Sequence, residues 1–176
     1  MNKKIFDYAR KAKSCSYGAI RKKNSIEAIV IHNTGNYNDK AKSNVDYFAT
    51  GNTRSAGAHI FIDREGLSGY SIPITRIAYA VGNPKGAYKK GAYYCNVNNA
   101  NSVSIELCDI VDKPISDKQL ATLIKTVIWL KNQCPNIKYV VRHYDVVQKD
   151  CPVYYIKNKN LWKKLQTLLL SYIKDI

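Results

Sequence analysis

Short runs of branched apolar residues alternate with apolar stripes at helical spacing along this chain, and this alternation constrains its fold most strongly. The segment IEAIVI, residues 26–31, has the composition of a strand that is covered on both faces. Similar runs recur at residues 58–63, 103–108 and 137–141. Helical spacing appears within residues 120–130 and again within 161–173. We therefore predict an α/β fold with a central mixed β-sheet flanked by α-helices.

Local signals predict the boundaries of several elements. Ser116 stands three residues before Gln119, which is the spacing of a helix capping box. A short helix over 40–50 should end at Gly51, and short strands interrupted by Pro73 should occupy 70–82. Two loops are expected, one over residues 83–101 and one over 142–156. The last stripe is interpreted as core packing rather than as a membrane surface, and its members are Leu161, Trp162, Leu165, Leu168, Leu169, Tyr172 and Ile173.

No repeat, Gly/Ser linker or low-complexity stretch divides the chain. We therefore expect a single domain over 1–176, with its core at about 16–173. No apolar run approaches the roughly 18 residues of a membrane span, and residues 1–23 lack the apolar segment and cleavage site of a secretory signal. The five cysteines form no CxxC pair, and their odd number argues against a disulfide framework.

The chain is strongly basic, with 28 Lys and Arg against 13 Asp and Glu and a net charge of +15. The excess lies mainly at the two ends. Residues 1–24 carry eight Lys and Arg with one Asp, and residues 157–176 carry five Lys with one Asp. Such charge predicts an anionic partner, which could be nucleic acid, a membrane surface or an anionic polymer. Two solvated ends that keep the protein soluble are an equally open interpretation.

Three residues form a candidate metal site. His32 follows the apolar run at 26–31, His143 follows the run at 137–141, and Cys151 comes eight residues later. Side chains at the ends of neighbouring strands can converge in an α/β sheet. Two imidazoles and one thiolate suit Zn²⁺, and three protein ligands leave a fourth position open, as in catalytic zinc sites. Taken singly, each residue could equally be a packed or surface residue.

The chain contains four motifs that occur in the same order in a known protein family. They are IVIHNTGN (29–36), AHIFIDREG (58–66), NSVSIELC (101–108) and RHYDVVQKDCP (142–152), and SYGAIR (16–21) adds a weaker match. With these motifs the chain resembles the zinc-dependent N-acetylmuramoyl-L-alanine amidases of the type 2 amidase family. That family includes phage endolysins, bacterial autolysins and peptidoglycan recognition proteins. The resemblance covers about residues 16–152.

The resemblance implies one Zn²⁺ per chain, held by the three residues named above. It also implies that Glu106 moves protons at the attacking water and that Lys149 stabilises the developing oxyanion, as a fixed positive charge can. Asn33, Tyr93 and Tyr94 are candidate substrate contacts. Two positions depart from the family pattern. Ala58 stands where some relatives carry a catalytic tyrosine, and the Trp-His pair of many relatives is replaced by the stretch 79–82. His59 is interpreted as a packed histidine.

The function implied is hydrolysis of the amide bond between N-acetylmuramic acid and L-alanine in bacterial peptidoglycan, causing lysis of the cell wall. Without a signal, the protein should be made in the cytoplasm and reach the wall after release, through a holin or through lysis. The basic ends could bind anionic wall polymers such as teichoic acids, in place of a separate wall-binding domain. Two alternatives remain. They are a non-catalytic peptidoglycan-binding module and a basic nucleic-acid-binding protein, although no nucleic-acid recognition motif is present and nucleic acid is not the expected partner.

Overall fold

The computed structural model describes residues 5–82 and 86–174, which form a six-stranded sheet, a two-stranded sheet and five α-helices. The strands are β1 Tyr8–Ala9, β2 Tyr17–Ile20, β3 Ala28–Asn33, β4 Ile60–Ile62, β5 Ser68–Tyr70, β6 Arg76–Ala78, β7 Ser102–Leu107 and β8 Tyr139–Arg142. The helices are α1 Ala41–Asp46, α2 Asp117–Gln133, α3 His143–Val146, α4 Val153–Lys157 and α5 Lys159–Lys174.

The larger sheet has the order β1-β5-β4-β7-β3-β8 and is mixed. Strand β3 pairs in parallel with β7 and with β8, β4 is parallel to β7, and β4 is antiparallel to β5. Residues 28–32 of β3 are buried, as expected for a central parallel strand covered on both faces. The predicted α/β class with a central mixed sheet is confirmed. Because β3, β7 and β8 run the same way, their carboxyl ends lie at one edge of the sheet.

Helix α2 begins where the sequence indicates. The Ser116 hydroxyl accepts a hydrogen bond from the Gln119 backbone N–H at 3.1 Å, which caps the first turn. The Gln119 side chain does not reach back to complete the capping box. Its amide donates to the carbonyl oxygens of Ile62 (2.8 Å) and Cys108 (3.0 Å), so it fastens α2 to the ends of β4 and β7.

Helix α5 buries a narrower face than its apolar stripe predicts. Trp162, Leu165, Leu169 and Ile173 are buried in the core. The prediction of core packing is wrong for Leu161 and Leu168, which are 39% and 37% exposed. At 100° per residue these two leucines lie roughly a quarter turn from the centre of the buried face, which is beyond its edge.

The fold differs from the predicted boundaries at two further places. The sheet begins before residue 16, because β1 pairs with β5 and Phe6 stacks on Tyr70 at a centroid distance of 4.8 Å. The segment 142–156, expected to be irregular, contains α3 and α4. None of the helices within 5–82 and 86–174 combines the length and the apolar character needed to cross a membrane.

Candidate functional site

His32, His143 and Cys151 converge at the carboxyl edge of the sheet. His32 is the fifth residue of β3, His143 begins α3 directly after β8, and Cys151 lies just before α4. One potential ligand atom from each residue lies within 4.8 Å of those from the other two. The Cys151 Sγ is 3.7 Å from His32 Nδ1, and all three residues are buried. The predicted convergence of these side chains is therefore present in the fold.

The unpaired ring nitrogens at this site fit a metal ion. Among the described residues, no hydrogen-bond partner meets His32 Nε2 or either ring nitrogen of His143. The backbone of Gly82 approaches the His143 ring and opposes the lowering of its pKa, but makes no hydrogen bond of normal geometry. Buried polar atoms without partners are costly, and two imidazoles with one thiol form a donor set that zinc accepts. The residues present thus fit a zinc ion.

Burial sets the protonation of the three side chains. It lowers the pKa of His143 to about 4 and that of His32 well below its ordinary value, with the Lys149 charge acting in the same direction on both. Both imidazoles are therefore neutral at pH 7, which is the form that ligates metals. Burial raises the pKa of the Cys151 thiol far above its usual range. A bound cation would reverse that preference and favour the thiolate.

Asn33 holds the Cys151 loop against the end of β3. Its backbone N–H lies 3.4 Å from Cys151 Sγ as a donor, and its side-chain Oδ1 accepts from the Val153 N–H at 3.1 Å. The Tyr144 N–H also donates to the Cys151 carbonyl at 2.9 Å. Asn33 lines the cleft as well. Its contacts give it a structural role, while its contact with substrate stays a prediction.

Glu106 lies on β7 next to the histidine of β3. The two strands place Glu106 directly opposite His32 in the register. The residue is only partly buried because it faces the cleft, but its Oε2 is buried and has no hydrogen-bond partner among the described residues. Burial raises the pKa of this carboxyl to about 7, with the Lys149 charge opposing the shift. A carboxyl group with that pKa can both accept and donate a proton near neutral pH.

Lys149 is exposed and lines the same cleft. Its positive charge lowers the pKa of all four neighbouring side chains, namely His32, Glu106, His143 and Cys151. Lys149 and these four residues all line the same cleft, so the ammonium can act on each of them. The structure therefore brings Lys149 to the site where the sequence predicts it.

The cleft above these residues has a volume of about 540 Å³, within the range of small-molecule and peptide sites. Its other walls come from α1, from the turn Tyr47–Gly51 that continues it, from residues 54–57 and from the 79–80 segment. Tyr79 and Tyr47 are 39% and 41% exposed there. The sequence patterns that predict the metal site do not predict these walls. The wall residues come from segments that are distant in sequence and meet only in the tertiary fold.

Tyr93 and Tyr94 do not lie among the residues that line this cleft. Tyr93 packs edge-on against Tyr139 at a centroid distance of 5.6 Å, and Lys90 Nζ lies 4.9 Å above the Tyr94 ring. Their loop instead pairs with the segment before Lys149, through backbone bonds such as Tyr93 N–H to the Asp145 carbonyl. The predicted contact of both tyrosines with substrate stays a prediction.

His59 is a packed histidine, as the sequence indicates. It is 1% exposed, its Nδ1 accepts from the Ser104 N–H at 3.1 Å, and Arg21 Nη2 lies 2.9 Å from its Nε2. Arg21 is itself buried and donates to the carbonyl oxygens of Ile74, Asn99 and Ala100. This arginine therefore does not belong to the solvated basic N-terminal segment with which its sequence position grouped it.

Comparison with known sequences identifies relatives of the chain. A family model described as N-acetylmuramoyl-L-alanine amidase matches residues 22–154. The chain is 27% identical over 154 residues to "N-acetylmuramoyl-L-alanine amidase CwlL" of Bacillus licheniformis, covering 82% of this chain and 42% of that protein. It is 28% identical over 142 residues to "N-acetylmuramoyl-L-alanine amidase BlyA" of Bacillus subtilis (strain 168), covering 76% and 38%. The chain thus spans about two fifths of the length of these relatives.

Comparison with solved structures identifies the same fold in two chains, each matched over nearly its full length. The structure of PlyL matches with a TM-score of 0.72 and 21% identity, over 92% of this chain and 95% of that one. The solution structure of the PlyG catalytic domain matches with a TM-score of 0.72 and 21% identity, over 94% of both chains. At this level of identity the likeness establishes the fold alone. It does not show the chemistry, which depends on the residues of the site.

Proposed function

This chain belongs to the N-acetylmuramoyl-L-alanine amidase family, the type 2 amidases, and we propose that it hydrolyses the amide bond between N-acetylmuramic acid and L-alanine in bacterial peptidoglycan. The observation that carries the proposal is the meeting of His32, His143 and Cys151 with the unpaired carboxyl of Glu106 in one cleft. The names of the two Bacillus relatives support the same reaction.

Zinc is the metal we propose for the site, with His32, His143 and Cys151 as its protein ligands. Three protein ligands would leave a further position at the metal open, as in catalytic zinc sites. When bound, zinc supplies Lewis acidity to the carbonyl and lowers the pKa of water toward neutrality. Asn33 keeps the Cys151 loop in place through its two hydrogen bonds, so the ligand set does not depend on the metal alone for its arrangement.

Glu106 is the proposed general base and acid. Its Oε2 is free of other hydrogen bonds among the described residues, and burial brings its pKa to about 7. The carboxylate would take a proton from the attacking water and then deliver it to the nitrogen of the leaving alanine. Such a relay needs a group that is ionised before attack and acidic enough afterwards, which a pKa near the working pH provides.

Lys149 is the proposed stabiliser of the negative charge that develops on the carbonyl oxygen. Lys149 is exposed and lines the cleft, and its charge acts on the pKa of all four neighbouring side chains. A fixed charge placed before the reaction costs no reorganisation when the oxyanion forms.

We also propose that residues 1–176 act as one catalytic domain and that the basic ends bind anionic wall polymers such as teichoic acids. Lys11, Lys13, Lys22 and Lys23 are exposed within the N-terminal segment. None of these four forms an ion pair with a described residue. Lys3 and Lys4 lie outside the described residues. The bacterial wall is therefore the proposed partner both of the cleft and of the charged surface.

Digestion of purified cell walls, followed by mass spectrometry of the products, tests the reaction. We expect loss of turbidity, new free alanine amino groups and muramic acid freed from its peptide. Release of reducing sugars without new amino groups would mean that a different bond is cut. Tight binding of muropeptides without any new amine, at full zinc occupancy, would instead identify a non-catalytic binding module.

A further inference from the structure

Arg54 differs from the other five arginines of this chain in the surroundings of its guanidinium. Arg10 pairs with Asp46, Arg142 pairs with Asp145, and three more donate to backbone carbonyls: Arg21, Arg64 and Arg76. The Arg54 guanidinium makes no hydrogen bond, ion pair or ring contact with any described residue, and Arg54 is the arginine that lines the cleft. The cleft therefore presents an unpaired cation.

The backbone at Arg54 is nevertheless held firmly. Asn52 is fully buried, and its side chain accepts from the Arg54 N–H at 3.1 Å and donates to the Arg54 carbonyl at 2.9 Å. The same amide also donates to Ser16 Oγ (2.8 Å) and to the Ala56 carbonyl (2.9 Å). These bonds fix the base of the arginine side chain, so only the side chain itself must be ordered when a ligand binds.

The carboxylates of the cleft do not neutralise this arginine. Asp39 accepts from the Asn44 side-chain amide at 2.8 Å and from the Lys40 N–H at 3.0 Å. Glu106 makes no ion pair with Arg54, and it lies opposite His32 in the register of the sheet. A planar guanidinium with all of its donors unused is best matched by a carboxylate, which it binds through two parallel hydrogen bonds.

We propose that Arg54 binds a carboxylate of the peptide that follows the scissile amide, and so selects walls in which that group is free rather than amidated. This inference rests on the proposed amidase function. In the peptide, alanine has both of its backbone groups in amide bonds. A glutamate that follows it and continues the chain through its γ-carboxyl keeps its α-carboxylate, which is then the nearest free one. An extended residue spans about 3.3–3.6 Å, so this carboxylate stays near the scissile amide, and one cleft of about 540 Å³ is lined both by the metal-site residues and by Arg54.

Two synthetic substrates that differ in one group test the proposal. One is N-acetylmuramoyl-L-Ala-γ-D-Glu-L-Lys, and the other carries a carboxamide in place of the free glutamate carboxylate. We expect the zinc-loaded wild type to cleave the carboxylate substrate with a kcat/KM at least about 10-fold higher. Arg54→Gln should lower that value about 10- to 100-fold and leave cleavage of the carboxamide substrate unchanged. Arg54→Lys should retain part of the preference, because lysine keeps the positive charge but cannot make the two parallel hydrogen bonds of a guanidinium.

Equal cleavage of the two substrates by the wild type would overturn the proposal. So would an Arg54→Gln variant that slows both substrates in the same proportion. Lys138→Gln is the matched control, because Lys138 carries the same charge and precedes β8, at the opposite end of that strand from the site. This control should leave the preference intact.

A binding measurement separates this proposal from the proposed reaction. If the wild type releases no amine from either substrate, the amidase proposal fails, and titration of the tripeptide L-Ala-γ-D-Glu-L-Lys and of its carboxamide still decides the role of Arg54. Tighter binding of the carboxylate peptide, lost in Arg54→Gln, supports it. Equal affinity for the two peptides, or no binding of either, contradicts it.

Discussion

His32 and Glu106 face each other across the parallel strands β3 and β7, at the fifth of six consecutive register pairs. The pairing places a metal-ligand candidate and an unpaired carboxyl side by side on buried strands rather than on loops. Groups held in this way lose little entropy when the substrate binds, and their separation cannot drift without breaking the ladder. The relative position of these two side chains is therefore set by the pairing of two central strands of the sheet.

Glu106→Gln should lower kcat on cell walls about 100- to 10,000-fold while the protein still binds zinc, because the amide cannot carry the proton. Turbidity loss and metal content of the same preparation check this result. Glu27→Gln is the control, because Glu27 is a carboxylate paired with Lys138 beside the start of β3. A variant with full activity and full zinc would remove Glu106 from the mechanism.

Replacing either type of ligand residue should weaken metal binding. We expect Cys151→Ser and His143→Ala to bind zinc at least about 10-fold more weakly than the wild type and to lose lysis in proportion. Metal analysis after dialysis and a zinc titration check this expectation. The control is Cys95→Ser, since Cys95 is exposed and lies outside the residues that line the cleft. Retention of both zinc and lysis by the ligand variants would refute the assignment.

Lys149→Gln should reduce kcat about 100- to 1,000-fold with little change in KM, because the charge acts on the transition state rather than on the bound substrate. Zinc content should stay normal. Kinetics on a soluble muropeptide separate the two constants. Lys163→Gln, an exposed lysine on α5, serves as the comparison. An effect on KM alone would make Lys149 a binding residue instead.

The metal-free protein should lose stability as the pH falls below 6.5. Burial lowers the pKa of His59 to about 3 and that of His143 to about 4. Between those values and 6.5 the unfolded chain binds protons that the folded chain does not, so acid favours unfolding. Each of these two histidines should lower the free energy of unfolding by about 2 kcal/mol between pH 6.5 and pH 5.

Urea titrations in chelator at pH 7 and pH 5 measure this loss. His59→Asn should make the free energy of unfolding less dependent on pH, because the asparagine oxygen can still accept from the Ser104 N–H but does not titrate. The absolute stability of the variant is not the readout. An unchanged pH dependence in His59→Asn would show that the buried His59 does not contribute.

Neutralising the exposed lysines of the N-terminal segment should weaken binding to cell walls and flatten its salt dependence. The described positions to change are Lys11, Lys13, Lys22 and Lys23, with Lys3 and Lys4 added outside the described residues. Arg21 must be left in place, since it is buried and structural. Sedimentation with walls at increasing salt measures the effect. If binding is unchanged, the charge serves solubility alone.

The part of the site that the sequence predicts is the part built from strand ends. His32 and His143 follow apolar runs, and parallel strands bring their carboxyl ends to one edge, so their convergence follows from local patterns and from chain direction. The role of Ser116 as a cap could likewise be predicted, because a capping bond joins residues three apart. The resemblance of the motifs added Glu106 and Lys149.

Other features depend on contacts between distant segments, which no local pattern encodes. Arg21 is a buried clamp and Arg54 an unpaired cation, although both are arginines in polar stretches. Leu161 and Leu168 belong to an apolar stripe, yet they lie beyond the face that the core can cover.

The alternation of elements, the cap of α2 and the residues able to hold a metal can all be predicted from local patterns in the amino-acid sequence. Hydrophobic periodicity and helix capping depend on residues that are close together in the sequence, so they can be recognised without the tertiary structure. Long-range packing sets which arginine lines the cleft and which is buried, and it leaves Tyr93 and Tyr94 outside the residues that line the cleft. Those outcomes are set by which segments cross and by the space that remains between them, and this is a property of the whole packed chain.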